Sequence, residues 1–279
     1  MLTRFAPAPT GHLHIGHVVN ALQVWGTARR NGGRVLLRIE DHDRQRSRPE
    51  FEASILEDLA WLGFTPDEPM VRQSDREAIY QTSLQRLRDQ GLVYVCECPR
   101  RVVQPFRAAN GELRYPGTCA DKALSEAPGR ALRVRLPPAE IRFDDVLQGP
   151  QVQRPCDQCG DLLIRDRLGF WTYQFAVTVD DLEQHITHVI RGMDLLASTG
   201  RQIQLARLLG RDTPPQFLHH PLVMKSPSQK LSKADRDTSI RDMRAAGATP
   251  QDIIQHAGSS MKDFWNSPRV PTEYPQDAS

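Results

Sequence analysis

The sequence predicts an α/β protein whose main element is a parallel, Rossmann-like sheet, and three observations support this prediction. Short β-prone runs alternate with helical runs through the first 92 residues, an order typical of a parallel sheet. A strand-rich, irregular stretch that holds all five cysteines then interrupts the alternation. The alternation resumes afterwards and gives way to short helical runs. We therefore expect a first half of the sheet at residues 1–92, an inserted α+β segment at 93–170, a second half at 171–235, and a short helical part with a tail at 236–279.

The composition is that of a soluble globular protein. Charged residues make up 25% of the 279 positions and hydrophobic residues 39%, and no apolar run approaches the roughly 18 residues of a membrane span. The N-terminus has neither an apolar signal core nor an arginine-rich presequence, so we expect a cytoplasmic protein. We also expect it to be a monomer that does not bind membranes. The net charge of +2 leaves open whether the partner is a nucleic acid.

The first unit runs from Arg4 to His17 and is expected to be a short strand, a proline-stiffened loop and the start of a helix. Apolar residues after His17 recur at helical spacing, which places Gly16 near the helix N-terminus. Backbone N–H groups and the helix dipole favour an anion there, and His14 and His17 can add donors. The alternative is a capped surface helix with two unrelated histidines.

A second buried strand is predicted at residues 34–39, and it ends at Glu40 in a charged cluster. Open α/β sheets bind ligands at the carboxyl ends of their strands, so this cluster is a candidate for ligand contacts. A solvated loop is the alternative. Helices are predicted at 50–62 and 75–90. The chain has neither a G-x-G-x-x-G sequence nor a Walker lysine loop, so a nucleotide would have to bind in another way.

The cysteine pattern suggests a structural zinc site. Cys96, Cys98 and Cys119 are close in sequence, and tetrahedral zinc takes four ligands. Tyr115 is the nearest candidate for the fourth ligand, whereas Cys156 and Cys159 either join the site or form a separate half-site. Buried free thiols without a metal are the alternative.

The remainder of the chain is expected to contain further strands and helices. Residues 131–166 are strand-rich, and near their start arginines alternate with apolar residues; they are Arg130, Arg133 and Arg135. These arginines either face a polyanion or line a solvated strand face. The later expected elements are strands at 171–181, 189–192 and 219–224 and helices at 198–209, 238–246 and 250–257.

A second candidate site lies at Gln229 to Ala234. Lys230 and Lys233 are spaced so that two ammonium groups could meet the charge of a triphosphate in a transition state. Taken alone, this pattern fits a plain surface loop better.

Together, the two signals resemble the paired signature of class I aminoacyl-tRNA synthetases, with His14-Ile15-Gly16-His17 at the front and Lys230-Leu231-Ser232-Lys233 near the end. Flanking residues are similar to the glutamyl-tRNA synthetase branch over nearly all of residues 2–240. They are Arg4 to Gly11, Arg38 to Asp41, Tyr173-Gln174 and Val189 to Asp194. Within this branch, the chain resembles the glutamyl-Q tRNA(Asp) synthetases, a shortened family without the helical anticodon-binding region.

The resemblance implies a ligase that activates L-glutamate with ATP and Mg²⁺ in the absence of tRNA and passes it to queuosine in the anticodon of tRNA(Asp). It assigns catalysis to His14, His17, Lys230 and Lys233, and ATP binding to His14, Gly16, His17 and Lys233. It assigns glutamate binding to Arg4, Phe5, Ala6, Pro7, Ala8, Glu40, Tyr173 and Arg191. It makes Zn²⁺ structural, with Cys96, Cys98, Tyr115 and Cys119 as ligands.

Some features depart from the shortened family's pattern. That family commonly replaces the histidine at position 17, and Asp43 to Ser47 look closer to an ordinary glutamyl-tRNA synthetase. The alternative is therefore an ordinary glutamyl-tRNA synthetase core that charges the 3′ end of its tRNA. An inactive binding module is a further alternative, and the intact signature residues count against it. Cys156 and Cys159 have no counterpart in the family pattern.

Overall fold

A computed structural model describes residues 1–108, 111–226, 229–230 and 238–259, with only the backbone for 224–226 and 229–230. The described strands are β1 (Leu2–Phe5), β2 (Arg34–Ile39), β3 (Val71–Arg72), β4 (Val93–Cys96), β5 (Ala131–Val134), β6 (Ile141–Asp145), β7 (Gly149–Gln153), β8 (Leu162–Arg165), β9 (His188–Gly192), β10 (Gln216–His220), β11 (Met224–Ser226) and β12 (Gln229–Lys230). The described helices are α1 (Ile15–Arg30), α2 (Pro49–Trp61), α3 (Glu77–Asp89), α4 (Arg100–Val103), α5 (Pro155–Gln158), α6 (Tyr173–Glu183), α7 (Thr199–Leu208), α8 (Ile240–Ala245) and α9 (Pro250–Ser259).

The central sheet is mainly parallel, as the alternation of strands and helices predicts. Strands β1, β2 and β3 pair in parallel in that order, and β9, β10 and β6 form a second parallel set. The two sets meet where β1 lies beside β9, and there the backbone N–H of Thr187 donates to the carbonyl of Leu2 at 2.9 Å. The sheet as a whole is mixed because β7 returns antiparallel to β6.

Helix α1 covers the first half of the sheet because its apolar face is buried against β1 and β2. Val18, Val24 and Ala28 are almost inaccessible and belong to one apolar cluster with Phe5 and Leu37. This packing fixes the start of α1 at the carboxyl end of β1, where open α/β sheets bind their ligands.

Three strands from the predicted insertion at residues 93–170 form an antiparallel sheet in the order β4, β5, β8, whereas β6 and β7 from the same range join β10 and β9. Its core side chains, such as Val134 and Ile164, belong to the same apolar cluster as Leu84 of α3 and Phe175 of α6. The prediction of a strand-rich stretch at residues 131–166 is therefore confirmed.

The predicted strand at residues 171–181 is wrong, because these residues form helix α6. All seven residues from Phe175 to Asp181 are buried. A helix that is buried on every side shows no polar stripe, and β-branched and aromatic residues in such a run are typical of a strand. The residue pattern therefore could not distinguish the two structures.

The other predicted elements are present with small shifts. Strand β10 begins at Gln216, earlier than the predicted range of 219–224, and residues 221–223 belong to no strand. Helices α8 and α9 occupy the two predicted helical ranges near the end, and Ile253 and Ala257 of α9 join the α1 cluster. Lys233 and the tail beyond Ser259 lie outside the described residues. Among the helices that are described, none has both the length and the apolar character needed to cross a membrane.

Candidate active site

A cavity of about 530 Å³ opens at the carboxyl ends of β1, β2 and β9, beside the N-terminus of α1. Ten of the residues that the sequence assigns to glutamate or ATP line it. They are Arg4, Ala6, Pro7, Ala8, His14, Gly16, His17, Glu40, Tyr173 and Arg191. Phe5 is absent from the described lining, because its ring packs in the core with its centroid 5.3 Å from that of Trp25.

The two signature histidines cap helix α1 reciprocally. His14 is the N-cap residue, and its Nδ1 accepts a hydrogen bond from the backbone N–H of Gly16 at 3.1 Å. The Nδ1 of His17 accepts from the backbone N–H of His14, also at 3.1 Å. In the neutral form both rings therefore carry their proton on Nε2. Gly16 is required by this arrangement, since a Cβ there would lie 2.9 Å from Cε1 of His14.

A buried charge cluster supports the floor of the cavity. The guanidinium of Arg38 donates to Asp181 and Gln184, each at 2.8 Å, and to Glu40 at 3.4 Å. Arg4 donates through Nε to the same Asp181 oxygen at 3.0 Å. One carboxylate therefore fixes a cavity residue, Arg4, relative to the fully buried Arg38.

Burial and charge act in opposite directions on the two carboxylates of this cluster. Burial favours a raised pKa for Asp181, but Arg4 and Arg38 outweigh it and hold the pKa below its usual value. For Glu40, burial dominates and raises the pKa, although Arg38 opposes it. Burial, and then the charge of Glu40, also raise the pKa of the nearby Tyr173 hydroxyl.

Arg191 presents an unsatisfied donor at the cavity. Its Nε donates to Nε2 of His219 at 3.0 Å, and its Nη2 donates to Oγ1 of Thr199 at 2.8 Å. Its Nη1 is buried and has no hydrogen-bond partner among the described residues. A buried guanidinium nitrogen without a partner costs free energy, so Nη1 is suited to a carboxylate oxygen of a ligand.

The lysine segment begins at the cavity wall. Val223 lines the cavity, strand β11 follows it directly, and the backbone of Lys230 in β12 pairs with that of Met224. The structure thus brings the Lys230 backbone close to the rim, whereas Lys233 lies outside the described residues.

The predicted zinc ligands form a separate cluster in the insertion. The sulfurs of Cys96, Cys98 and Cys119 lie within 4.8 Å of one another. Oη of Tyr115 lies 3.4 Å from the Cys96 sulfur and 3.9 Å from the Cys98 sulfur. Tetrahedral zinc, with Zn–S bonds of about 2.3 Å, places neighbouring sulfurs about 3.8 Å apart. The thiol spacing therefore fits such an ion, with Tyr115 as the nearest fourth donor.

Cys156 and Cys159 do not join this cluster in the described part of the chain. The thiol of Cys159 donates to the carbonyls of Pro155 and Gly160 at 3.2 and 3.3 Å. The pair instead supports the backbone behind the cluster, because the N–H of Tyr115 donates to the carbonyl of Cys159 at 2.9 Å.

The three alternating arginines do not share one exposed face. Arg133 is buried, its guanidinium lies 3.6 Å from the ring centroid of Tyr115, and it donates to the carbonyl of Asp161. Arg135 instead pairs with Asp121 at 3.1 Å. Arg133 thus supports the thiol cluster, whereas the sequence suggested a polyanion or solvent as its neighbour.

Sequence reasoning missed several residues that support the site, although a signal for some of them existed. Arg38 directly follows the apolar residues Val35 to Leu37, and Asp180 and Asp181 end an apolar run. Buried charges need partners, so such residues can be expected to pair. The partners of Arg191, by contrast, are His219 on the neighbouring strand β10 and Thr199 in helix α7, and neither carries a comparable signal in the sequence.

The fold and the cavity define a class I aminoacyl-tRNA synthetase catalytic domain. The family model described as tRNA synthetases class I (E and Q), catalytic domain, matches residues 1–259. The chain belongs to this class and, within it, to the family of the glutamyl-Q tRNA(Asp) synthetases, as its relatives show. The Burkholderia cenocepacia protein of that name is 46% identical over 258 residues, covering 88% of this chain and 86% of the relative. The Rhodobacter capsulatus protein of that name is 41% identical over 281 residues, covering 92% of this chain and all of the relative.

Two solved structures show the same fold. A glutamate tRNA ligase from Elizabethkingia meningosepticum, in complex with its amino acid, is 30% identical with a TM-score of 0.72. The glutamate-tRNA synthetase from Elizabethkingia anophelis is 31% identical with the same TM-score. This chain is covered to 89% in both comparisons but spans only 53% and 54% of the two solved chains.

Proposed function

We propose that this protein is an ATP-dependent ligase that activates L-glutamate without tRNA and transfers it to queuosine in the anticodon of tRNA(Asp). The observation that carries the proposal is the joint presence of Arg4, Arg191 and Glu40 in one cavity with the capped helix start. Two guanidinium groups and one carboxylate match the two carboxylates and the ammonium group of glutamate. The names of the relatives support the acceptor.

In the activation step, a glutamate α-carboxylate oxygen forms a bond to the α-phosphorus of ATP, and the bond to pyrophosphate breaks. The protein supplies position and charge rather than a nucleophile. His14 and His17 donate to phosphate through Nε2, and backbone N–H groups of α1 add the favourable end of its dipole. Lys230 and Lys233 meet the developing charge together with the Mg²⁺ that accompanies ATP.

In the transfer step, a hydroxyl of the queuosine cyclopentenediol attacks the glutamyl carbonyl, which forms an ester and releases AMP.

Zinc has a structural role in this proposal. Cys96, Cys98, Cys119 and Tyr115 would hold it, and four protein ligands leave no open position for a substrate. The ion would supply a cross-link between the last residue of β4 and the loops that follow this strand.

The activation step is tested by exchange of labelled pyrophosphate into ATP. With glutamate and no tRNA, we expect exchange by the wild-type protein and a rate roughly a hundredfold lower for Lys233→Ala, with glutamate binding retained. Lys122→Ala, which removes an exposed lysine paired with Glu97, is the matched control. Absence of exchange in zinc-replete wild type would contradict the proposal and favour an inactive binding module.

An ordinary glutamyl-tRNA synthetase core is the second candidate function. The retained His17 favours it, as do the two solved ligases with the same fold. It predicts charging of the 3′-terminal adenosine of tRNA(Glu), so the identity of the charged tRNA distinguishes the two candidates.

A further inference from the structure

Behind Arg191, a buried chain of hydrogen bonds connects the cavity to two more strands of the sheet. Nε of Arg191 on β9 contacts Nε2 of His219 on β10 at 3.0 Å, and Nδ1 of His219 contacts Oδ2 of Asp145 on β6 at 2.6 Å. The side chains of His219 and Asp145 are fully buried. Neither side chain lines the cavity in the described residues, so neither belongs to the glutamate contacts discussed above.

The donors and acceptors in this chain of hydrogen bonds allow only one position for the ring proton of His219. The Nε of arginine can only donate, so Nε2 of His219 must accept and its ring proton must be on Nδ1. That proton is then donated to Asp145. Burial lowers the pKa of His219, although Asp145 opposes the shift, and this agrees with a neutral ring. The carboxylate of Asp145 is fixed in turn, because its Oδ1 accepts from the backbone N–H groups of Leu147 and Gln148 at 3.0 and 2.9 Å.

A second anchor holds the other edge of the guanidinium. Oγ1 of Thr199, in the first turn of α7, accepts from Nη2 of Arg191 at 2.8 Å. With Nε and Nη2 both held, the plane of the guanidinium is fixed, and Nη1 is the nitrogen that remains for a ligand.

We propose that Asp145 and His219 are positioning residues for substrate binding: Asp145 fixes the tautomer of His219, and His219 orients Arg191 toward a carboxylate of the amino acid. This inference rests on the proposed function for the identity of the ligand as glutamate. Because the guanidinium is already oriented, binding of a carboxylate does not include the entropy cost of ordering the arginine side chain.

The test compares three substitutions by calorimetric titration of glutamate and, separately, of ATP. His219→Leu removes the acceptor, and we expect glutamate Kd to rise on the order of tenfold or more, because a hydrogen bond to a charged group is lost. His219→Gln places an amide oxygen near the Nε2 position, and we expect Kd within about threefold of wild type. The ATP Kd and the melting temperature of His219→Gln should stay near the wild-type values. His188→Gln is the control, because His188 is the first residue of β9, at the end of the strand opposite the cavity.

Asp145→Asn tests the tautomer directly without changing the shape of the side chain. Oδ1 accepts from two backbone N–H groups, whereas Oδ2 accepts from Nδ1 of His219 and, at 3.1 Å, from the backbone N–H of His219. An amide nitrogen at the Oδ2 position therefore loses the bond from the His219 backbone and faces Nδ1, which drives the ring proton to Nε2, opposite the Nε of Arg191. We expect a rise in glutamate Kd similar to that of His219→Leu, and this variant decides the question if His219→Leu does not fold.

Three results would overturn the inference. They are equal glutamate Kd values for His219→Leu and His219→Gln, equal losses of glutamate and ATP binding, and a wild-type glutamate Kd in folded Asp145→Asn. Glutamate binding by wild type without pyrophosphate exchange would refute the activation chemistry alone. Failure of wild type to bind glutamate at all would refute both.

Discussion

The side chain of Arg38 shows how single residues determine the geometry of this site. It is a fully buried cation in strand β2, and such a charge is tolerated only when acceptors surround it. Asp181 and Gln184 supply the closest acceptors, and Asp181 also binds Arg4, which lines the cavity. The ion cluster therefore links the stability of the sheet to the placement of a guanidinium that lines the cavity.

Asp181→Asn should lower the free energy of unfolding by about 3 to 5 kcal/mol at neutral pH, since it leaves Arg4 and Arg38 without their shared carboxylate. Urea unfolding at fixed pH measures this difference. Because the pKa of Asp181 is lower in the folded protein, its stabilising contribution is present above the usual carboxyl pKa and is lost as pH falls through the lowered value. The difference in the free energy of unfolding between variant and wild type should therefore become smaller at acidic pH.

Asp212→Asn, at an exposed position, is the control for this substitution and should change stability by less than about 0.5 kcal/mol. An equally small effect of Asp181→Asn at neutral pH would show that the cluster is not a stabilising unit.

At the residue scale, the sequence predicted the side chains that line the cavity better than the side chains that hold them in place. His14, His17 and Glu40 lie at the ends of elements whose order can be read from the chain, so their convergence was foreseeable. The pairing of Arg191 with His219 depends on strands adjacent in space but separated in sequence by another helix. Local patterns carry no information on such a pairing.

At the element scale, the small antiparallel sheet of β4, β5 and β8 has a thiol cluster at its edge. Cys96 ends β4, and Cys98 and Cys119 lie in the irregular chain that follows. Regular hydrogen bonding is sparse there, so a metal ion would supply cross-links that the backbone does not provide.

Cys98→Ser should remove bound zinc and lower the melting temperature, since a structural metal contributes directly to the folded state. Metal analysis and thermal unfolding of the purified protein measure both effects. Cys156→Ser is the matched control, because that thiol is outside the cluster, and it should keep the zinc. A Cys98→Ser protein with unchanged stability and no zinc would contradict the structural role.

Helices α2 and α7 and strands β2 and β9 match their predicted ranges closely. Burial alone did not prevent a correct prediction, because Thr199 to Ala206 of α7 are all buried, as are the seven residues of α6. Helix α6 was mistaken for a strand because its buried run contains β-branched and aromatic residues that are typical of a strand. The error matters for the site, because this helix carries Asp181, which was not among the predicted site residues.

At the scale of the whole molecule, the parallel sheet brings the start and the later half of the chain to one cavity. Arg4 on β1 and Arg191 on β9 line the same space because those two strands lie side by side. The pairing of distant motifs in the sequence predicted this convergence through family resemblance, and no local pattern would have done so. The boundaries of the four predicted segments and the monomeric state stay predictions.

The central claim is most directly tested by which RNA accepts glutamate. Labelled glutamate and ATP would be supplied with tRNA(Asp) carrying queuosine, with tRNA(Asp) lacking it, and with tRNA(Glu). A fourth sample, queuosine-containing tRNA(Asp) without its 3′-terminal adenosine, separates the two possible attachment sites. We predict label on both queuosine-containing RNAs and on neither of the others. Two results would contradict the account. One is label on tRNA(Glu), and the other is absence of label on queuosine-containing tRNA(Asp) when its terminal adenosine is removed.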